Sequence, residues 1–106
     1  MHGFIQDVPI KEELYRKIMA NLGSAPLEGL VCHIVVRRAD GLLRYIDVWE
    51  SEEACNAVFE KRIHPAVLAA FKEAQVRPTS GEPQRDRLDV LEVRLGTAAT
   101  RAQLAS

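Results

Sequence analysis

The chain has 106 residues, of which 47% are apolar and 27% are charged, and its formal net charge is −1. This length corresponds to one domain, and the composition excludes a disordered chain, which would be poorer in apolar residues and more highly charged. The near-neutral charge lacks the basic excess of nucleic-acid-binding domains. No apolar run approaches the roughly 20 residues that span a bilayer, and no signal-peptide pattern follows Met1. We therefore expect one soluble cytoplasmic domain that binds neither nucleic acid nor a membrane.

Cysteine and histidine usage points away from disulfides and metals. Cys32 and Cys55 form no C-x-x-C motif, and a chain with this apolar content needs no disulfide framework, so we expect two buried reduced thiols. The three histidines have no metal-ligand spacing, and the glycines form no phosphate-binding loop. The sequence therefore predicts neither a metal nor an organic cofactor.

The first predicted elements are a strand over residues 2–8 and a helix over about 10–22. Pro9 ends the strand, because proline cannot donate to a sheet but suits the first turn of a helix. Gly23 is a favourable helix stop. Apolar residues of the intervening segment recur every four positions, at Ile10, Leu14, Ile18 and Leu22.

Two further strands are predicted over residues 29–38 and 42–50. Both are rich in β-branched residues, and Asp40–Gly41 between them is a strong hairpin signal. Both strands carry apolar residues on both faces, which indicates that both faces of the sheet are covered.

The second half of the chain predicts a helix, a loop and a last strand. Ser51 is a suitable N-cap for a helix that begins with two acidic residues. His64 precedes Pro65 and is disfavoured in helical geometry, so we expect a kink or break there and a short helical piece to about residue 74. A loop over 76–87 and a strand over 88–95 follow. Residues 1–95 form the predicted domain, and residues 96–106 form a frayed or helical tail.

The element order β-α-β-β-α-β predicts an α+β, ferredoxin-like fold. In this fold a four-stranded antiparallel sheet carries both helices on one face. The other face would be open although the strands are apolar on both sides, and a second copy of the chain is the simplest cover. We therefore expect a homodimer.

The length of the hairpin loop decides which side chains share a face, because a slip of one residue reverses every side chain. A two-residue loop would place Asp47 opposite Ile34. A three-residue loop, with Gly41 left-handed, would place it opposite His33. The second register separates an aliphatic face suited to the helices from an open face that mixes aromatic and polar residues, as ligand pockets do. The aliphatic face would hold Leu30, Cys32, Ile34, Val36, Ile46 and Val48, and the mixed face Val31, His33, Val35, Leu43, Tyr45, Asp47 and Trp49.

The pair of His33 and Asp47 is the strongest candidate for chemistry on the mixed face. A carboxylate fixes the tautomer of an imidazole and prepares it as a general base. Tyr45 adds a hydroxyl that a substrate could meet. The alternative is a structural pair in which two buried polar groups satisfy each other. Trp49 likewise suits packing or a dimer interface.

A short motif resembles a known family. The run Asp47–Ala54 contains W-x-S-x-E-A, beginning at Trp49, and is followed by Phe59 and Pro65. This pattern is similar to that of dimeric α+β barrel proteins of the antibiotic-biosynthesis-monooxygenase-like group. The resemblance covers about residues 2–95, through the element order and this one motif.

The resemblance implies a barrel of two subunits around a cavity for a small molecule. It favours a cofactor-independent monooxygenase acting on an aromatic or apolar compound, with His33, Asp47 and Tyr45 as catalytic candidates. The expected ligand-binding residues are Trp49, Val31, Val35, Leu43 and His64. A non-catalytic ligand-binding or accessory dimer is the alternative. A haem-degrading enzyme fits less well, because Gln6 or Asp7 stands where that subgroup has asparagine, and Phe59 where it has tryptophan.

Overall fold

The computed structural model describes residues 1–78 and 81–99 of the chain. Its four antiparallel strands are β1 (His2–Val8), β2 (Leu30–Arg37), β3 (Leu43–Trp49) and β4 (Arg85–Asp89), in the spatial order β2-β3-β1-β4. Two helical segments cover one face: α1 (Glu12–Leu22), and a second segment made of α2 (Glu52–Val58), a π turn (Phe59–Ile63) and α3 (His64–Glu73). The predicted ferredoxin-like α+β fold is confirmed.

The second helical segment begins at the expected N-cap and is interrupted immediately before Pro65. Ser51 Oγ accepts a hydrogen bond from the Ala54 N–H at 3.1 Å, as an N-cap does. The expected kink or break before Pro65 takes the form of a π turn, which interrupts the α-helical pattern while the chain stays helical from Glu52 to Glu73. The π turn absorbs the proline, because the His64 N–H donates to the Phe59 carbonyl five residues earlier.

The last strand begins and ends earlier than the predicted range of 88–95. β4 runs over Arg85–Asp89, and its pairing with β1 ends where Asp89 meets His2, the first residue of β1. Residues 90–95 have no further partner strand there and lie outside any strand. The predicted tail is described only as far as a short turn at 96–99, and residues 100–106 lie outside the described residues.

The hairpin turn has three residues, which confirms the second register. The Arg38 N–H donates to the Leu42 carbonyl at 2.7 Å, and Gly41 has φ +84°, the left-handed conformation that this loop requires. His33 therefore lies directly opposite Asp47. A register shift between Leu30 and Cys32 leaves Val31 as an extra residue in β2.

The helices cover the mixed face of the sheet, so the predicted assignment of the two faces is wrong. Tyr15 of α1 contacts His33, while Phe59 packs with Phe4 and Trp49. The polar groups of the mixed face can be buried because they find hydrogen-bond partners beneath the helices. A purely aliphatic face would offer them no such partners. Leu30 also changes face, because the register shift sets it opposite Trp49 and next to the core.

The open face is the aliphatic one. Its most accessible apolar residues are on β2, where Ile34 is 48% and Val36 is 38% exposed. Cys32 lies on the same face and is half-buried, whereas Cys55 is fully buried under the helices; both are free thiols. Among the described residues, no helix is long and apolar enough to cross a membrane.

Candidate functional site

Four side chains form a continuous chain of hydrogen bonds between the sheet and α1. Trp49 Nε1 donates to Asp47 Oδ2 at 3.1 Å, and Asp47 Oδ1 lies 2.5 Å from His33 Nδ1. His33 Nε2 lies 3.1 Å from the Tyr15 hydroxyl. We call this set of residues (Trp49, Asp47, His33 and Tyr15) the polar relay.

Regular secondary structure positions each member of the polar relay. Asp47 and Trp49 are two residues apart on β3 and therefore point to the same side of the sheet. His33 is the cross-strand neighbour of Asp47 on β2. Tyr15 is buried in the first turn of α1, within the apolar stripe that packs on the sheet. The relay thus rests on a hairpin and a packed helix rather than on a loop.

Burial of the Asp47 carboxylate is compensated within the relay. Asp47 is 3% exposed and Trp49 is fully buried. A buried carboxylate is costly unless its oxygens accept hydrogen bonds, and here each oxygen has a donor of its own. The arrangement holds Asp47 as an acceptor for two neighbours.

The hydrogen-bonding capacities assign the tautomer of His33. An ionised carboxylate only accepts, so His33 Nδ1 carries the hydrogen that is donated to Asp47. Nε2 of the neutral ring is then an acceptor, and the Tyr15 hydroxyl donates to it. The His33 side chain is 25% exposed, so part of it is accessible to solvent. This is the geometry of an oriented base.

Two tyrosine rings enclose the imidazole. The Tyr45 ring lies edge-on to His33 at 5.2 Å and to Tyr15 at 5.7 Å between ring centroids. Burial raises the pKa of both tyrosines above the ordinary value, with the nearby Asp47 carboxylate acting in the same direction. Both hydroxyls are therefore neutral at physiological pH and able to donate hydrogen bonds.

A second polar cluster lies at the other end of the space between sheet and helices. Gln6 is 3% exposed, and its Nε2 donates to the Pro83 carbonyl at 2.8 Å. Glu82 lies 3.3 Å from His64 Nε2 and 3.5 Å from Arg85 Nε. These contacts attach the segment before β4 to β1 and to the start of α3.

Arg85 connects this second cluster to the aromatic core. Its guanidinium lies 4.5 Å from the Phe59 ring centroid and 5.6 Å from that of Phe4. Its Nη1 is also 3.6 Å from the Cys55 sulfur. Burial raises the pKa of the Cys55 thiol to about 11, against the opposing influence of Arg85. Cys55 is therefore a neutral, unreactive thiol at physiological pH.

The residues predicted from the sequence divide between several places. His33, Asp47 and Tyr45 come together, and Trp49 joins them through its indole nitrogen. Val35 and Leu43 pack in the adjoining core. His64 lies apart from the polar relay, against Phe59 and Glu82. Val31 is the extra residue of the register shift and has no cross-strand partner.

Three polar residues of the interior were missed by the sequence reasoning. Tyr15 lies within the predicted helix over 10–22 but outside its four-residue apolar repeat, and Arg85 lies within the predicted loop over 76–87. Gln6 was considered only in connection with haem. The sequence did hold a signal for the burial of two of them. Gln6 follows the strand alternation of core residues, and Tyr15 follows the helical spacing of core residues.

The described residues contain no group of three or more histidine, cysteine or acidic side chains arranged to hold a metal ion. The donor set of the relay also suits hydrogen bonding rather than coordination, because both nitrogens of His33 already have partners. The arrangement is chemically suited to accepting a proton at Nε2 and stabilising the resulting imidazolium by Asp47.

Comparison with known proteins identifies the fold. The sequence matches no protein-family model, and no curated protein is significantly similar to it. A candidate antibiotic biosynthesis monooxygenase from Chloroflexus aurantiacus superimposes with a TM-score of 0.57 at 16% identity, over 88% of this chain and 95% of that chain. A second such protein, from Deinococcus radiodurans, gives a TM-score of 0.51 at 13% identity, over 91% of this chain and 95% of that chain.

This chain has their fold. The likeness extends over nearly the whole of both solved structures and agrees with the group that the W-x-S-x-E-A motif resembles. At these identities the likeness concerns the backbone arrangement alone, and the chemistry has to be argued from this chain's own residues.

Proposed function

We propose that the protein is a homodimeric, cofactor-independent monooxygenase that acts on a small aromatic molecule with an acidic hydrogen. The polar relay carries this proposal. It supplies His33 as a base, Asp47 as the group that orients the base, and Trp49 as the donor that fixes Asp47. The names of the two solved structures with this fold support the reaction class.

The proposed reaction begins with removal of a proton from the substrate. The proton passes to Nε2 of His33, and the electron pair remains on the substrate as a resonance-stabilised carbanion or phenolate. Such an anion is electron-rich enough to react with O₂, the co-substrate, and form a carbon–oxygen bond as a hydroperoxide. Loss of water from the hydroperoxide leaves a ketone. A CH₂ group and O₂ thus become C=O and H₂O, and His33 returns its proton.

The surroundings of His33 suit an aromatic substrate. Tyr45 packs edge-on against the imidazole, and Val35 lies beside it in the core. Aromatic rings favour edge-to-face contact with other rings, which is worth about 0.5–1.5 kcal/mol beyond burial. We assign Tyr45, Val35, Leu43 and Trp49 to the walls of the proposed substrate site, whereas His64 lies apart from it, against Phe59 and Glu82.

The open face of the sheet is assigned to the dimer contact. It presents Ile34 and Val36 at substantial exposure, beside the half-buried Cys32. Aliphatic side chains on a sheet face gain about 25 cal/mol for each Å² that is removed from water. A cytoplasmic location remains a prediction from the cysteine usage.

A non-catalytic ligand-binding dimer is the second candidate. The observation that favours it is the filling of the interior by side chains, since Phe4 and Trp49 are both fully buried. In that case the polar relay satisfies its own buried groups and has no part in chemistry.

Anthrone distinguishes the two candidates, because it is an aromatic compound with an acidic CH₂ group and its oxidation product, anthraquinone, is read by absorbance. Air-saturated wild type is expected to form anthraquinone, and anaerobic wild type is not. His33→Gln should lower kcat by about 10²–10⁴-fold, the usual contribution of a general base. His2→Gln, a histidine change outside the relay, is the matched control. Equal rates in wild type and His33→Gln would refute the monooxygenase proposal.

A further inference from the structure

Both ring nitrogens of His33 are occupied. Nδ1 faces Asp47 and Nε2 faces the Tyr15 hydroxyl, at 2.5 Å and 3.1 Å respectively. A substrate that approaches the exposed part of the His33 side chain therefore finds no free lone pair on the ring. The proton must reach His33 either after Tyr15 has moved away or through the Tyr15 hydroxyl.

The packing of Tyr15 favours passage through the hydroxyl. Tyr15 is 8% exposed and belongs to the core cluster with Ile18 and Leu43. Its ring is also held between His33 and Tyr45, at centroid distances of 6.3 Å and 5.7 Å. Swinging this ring away would open the core beneath α1, whereas rotation of the hydroxyl hydrogen requires no movement of heavy atoms.

Tyr15 is the member of the polar relay that can reverse its role in hydrogen bonding. The Trp49 indole nitrogen only donates, and the ionised Asp47 carboxylate only accepts. The tyrosine hydroxyl donates one hydrogen and also accepts. Protonation of Nε2 turns that nitrogen into a donor, and the Tyr15 oxygen is placed to accept from it.

Resting on the proposed function, we propose that Tyr15 is the catalytic residue that meets the substrate and passes its proton to His33. In one step the substrate proton moves to the Tyr15 oxygen while the Tyr15 hydrogen moves to Nε2. The substrate keeps the electron pair of the broken bond, and His33 becomes an imidazolium that is hydrogen-bonded to Asp47. Tyr15 ends as a neutral phenol, and its new O–H is hydrogen-bonded to the substrate anion.

Burial suits Tyr15 to this role. The pKa of its phenol is raised, mainly by desolvation, so the group does not rest as a phenolate that would repel the anionic product. A neutral hydroxyl aimed at the developing negative charge is the kind of donor that stabilises such charge in other active sites.

The test uses Tyr15→Phe, which removes the hydroxyl and keeps the ring. With anthrone we expect kcat to fall by about 10²-fold, the lower end for a positioned proton-transfer group, with little change in KM. Nitrogen-15 NMR of the His33 ring should show a shift of the Nε2 resonance in Tyr15→Phe. Tyr45→Phe, the same change in the other tyrosine, should leave that resonance in place, since Tyr45 contacts the ring through its edge.

A solvent isotope effect provides a readout that a purely structural role would not move. The hydrogen that travels from Tyr15 to His33 exchanges with solvent, whereas the anthrone C–H does not on the timescale of an initial rate. Wild-type kcat should therefore fall in D₂O, and the residual activity of Tyr15→Phe should not. The wild-type measurement needs no variant, so the absence of an isotope effect overturns the role of Tyr15 even when the variant does not fold.

The outcomes separate this inference from the function on which it rests. An active wild type together with a fully active Tyr15→Phe, or a wild type without a solvent isotope effect, overturns the role of Tyr15 and leaves His33 as the base. A wild type that does not oxidise anthrone removes the proposed function and this inference with it.

Discussion

His33 Nδ1 and Asp47 Oδ1 lie 2.5 Å apart, although the two residues belong to different strands and are separated by 14 positions in the chain. The contact joins a partly exposed imidazole to a carboxylate that is almost completely buried. A charged acceptor in such surroundings makes hydrogen bonds roughly twice as strong as those between neutral groups. The pair is therefore expected to influence both stability and proton transfer, and the two effects can be measured separately.

Asp47→Asn tests the acceptor capacity of this position. An asparagine has one acceptor oxygen, whereas His33 and Trp49 both donate to Asp47. We expect the unfolding free energy to fall by about 1–3 kcal/mol, the cost of an unsatisfied buried polar group. Chemical denaturation followed by Trp49 emission gives this value, because Trp49 is the single tryptophan of the chain.

The control for this variant is Asp89→Asn, which makes the same change at the exposed end of β4. It should change the unfolding free energy by no more than about 0.5 kcal/mol, as surface substitutions generally do. Equal effects of the two variants would mean that Asp47 does not hold both donors.

The open face predicts a dimer that a single charge disrupts. Wild type should sediment as a dimer at micromolar concentration. Ile34→Lys should sediment as a monomer, because it places an ammonium group in the centre of an apolar contact. Leu68→Lys makes a similar change at an even more exposed residue of α3, and should remain dimeric. A monomeric wild type would contradict the assignment of this face.

The raised pKa of Cys55 predicts a thiol that reacts slowly in the folded protein. Its pKa is raised to about 11 by burial, so near neutral pH the thiolate fraction of the folded protein should be about 10²-fold below that of the unfolded chain. Alkylation by iodoacetamide should be slow in folded protein and rapid in denaturant, with mass spectrometry locating the label. Rapid labelling of Cys55 in the folded state would contradict its burial.

The raised pKa of Cys55 also makes the unfolding free energy depend on pH. Below the pKa of the unfolded thiol, both states are protonated and the Cys55 contribution is fully present. As the pH rises toward 11, the unfolded state loses its proton first, and the folded state is destabilised relative to it. Cys55→Ala should therefore lose less stability than wild type over this range, as measured by denaturation at successive pH values.

Glu82 is predicted to hold the segment before β4 in place. Glu82→Gln removes the charge opposite His64 and Arg85, and should lower the unfolding free energy by about 0.5–1 kcal/mol. The effect is small because these partners are partly exposed and the ion pairs are screened by solvent. Amide hydrogen exchange should become faster at residues 81, 82, 84 and 85. Glu60→Gln, on the exposed side of the π turn, is the control and should leave these amides unchanged. Unaltered exchange in Glu82→Gln would show that the Gln6 contact alone is sufficient.

The order of elements and the hairpin register could be predicted because both depend on local chemistry. The Asp40–Gly41 turn requires a left-handed residue, and Gly41 supplies it at φ +84°. The opposition of His33 and Asp47 follows from that turn by counting residues. A turn of this kind can be predicted from the sequence because neighbouring residues alone determine its conformation.

The face covered by the helices could not be predicted, because the choice depends on residues far apart in the chain. The mixture of aromatic and polar residues around His33 and Asp47 suggested an open face, as in ligand pockets. Burying the charge of Asp47 is also costly. The cost is offset by Tyr15 and Trp49, and the contribution of Tyr15 becomes visible only once α1 is packed on the sheet. The π turn is similar, because a proline alone does not reveal whether a helix breaks or takes up one more residue.

The three-residue turn at 39–41 also has a consequence for comparing sequences. A slip of one residue in the pairing set at this turn would move His33 from its place opposite Asp47 to the reverse side of the sheet, although the turn lies at the far end of the hairpin. Homologous chains that retain a histidine and an aspartate on these strands, but place one of them a single residue nearer to the turn, would therefore have lost the pair. Spacing across the hairpin is a better criterion for grouping such chains by shared chemistry than overall identity.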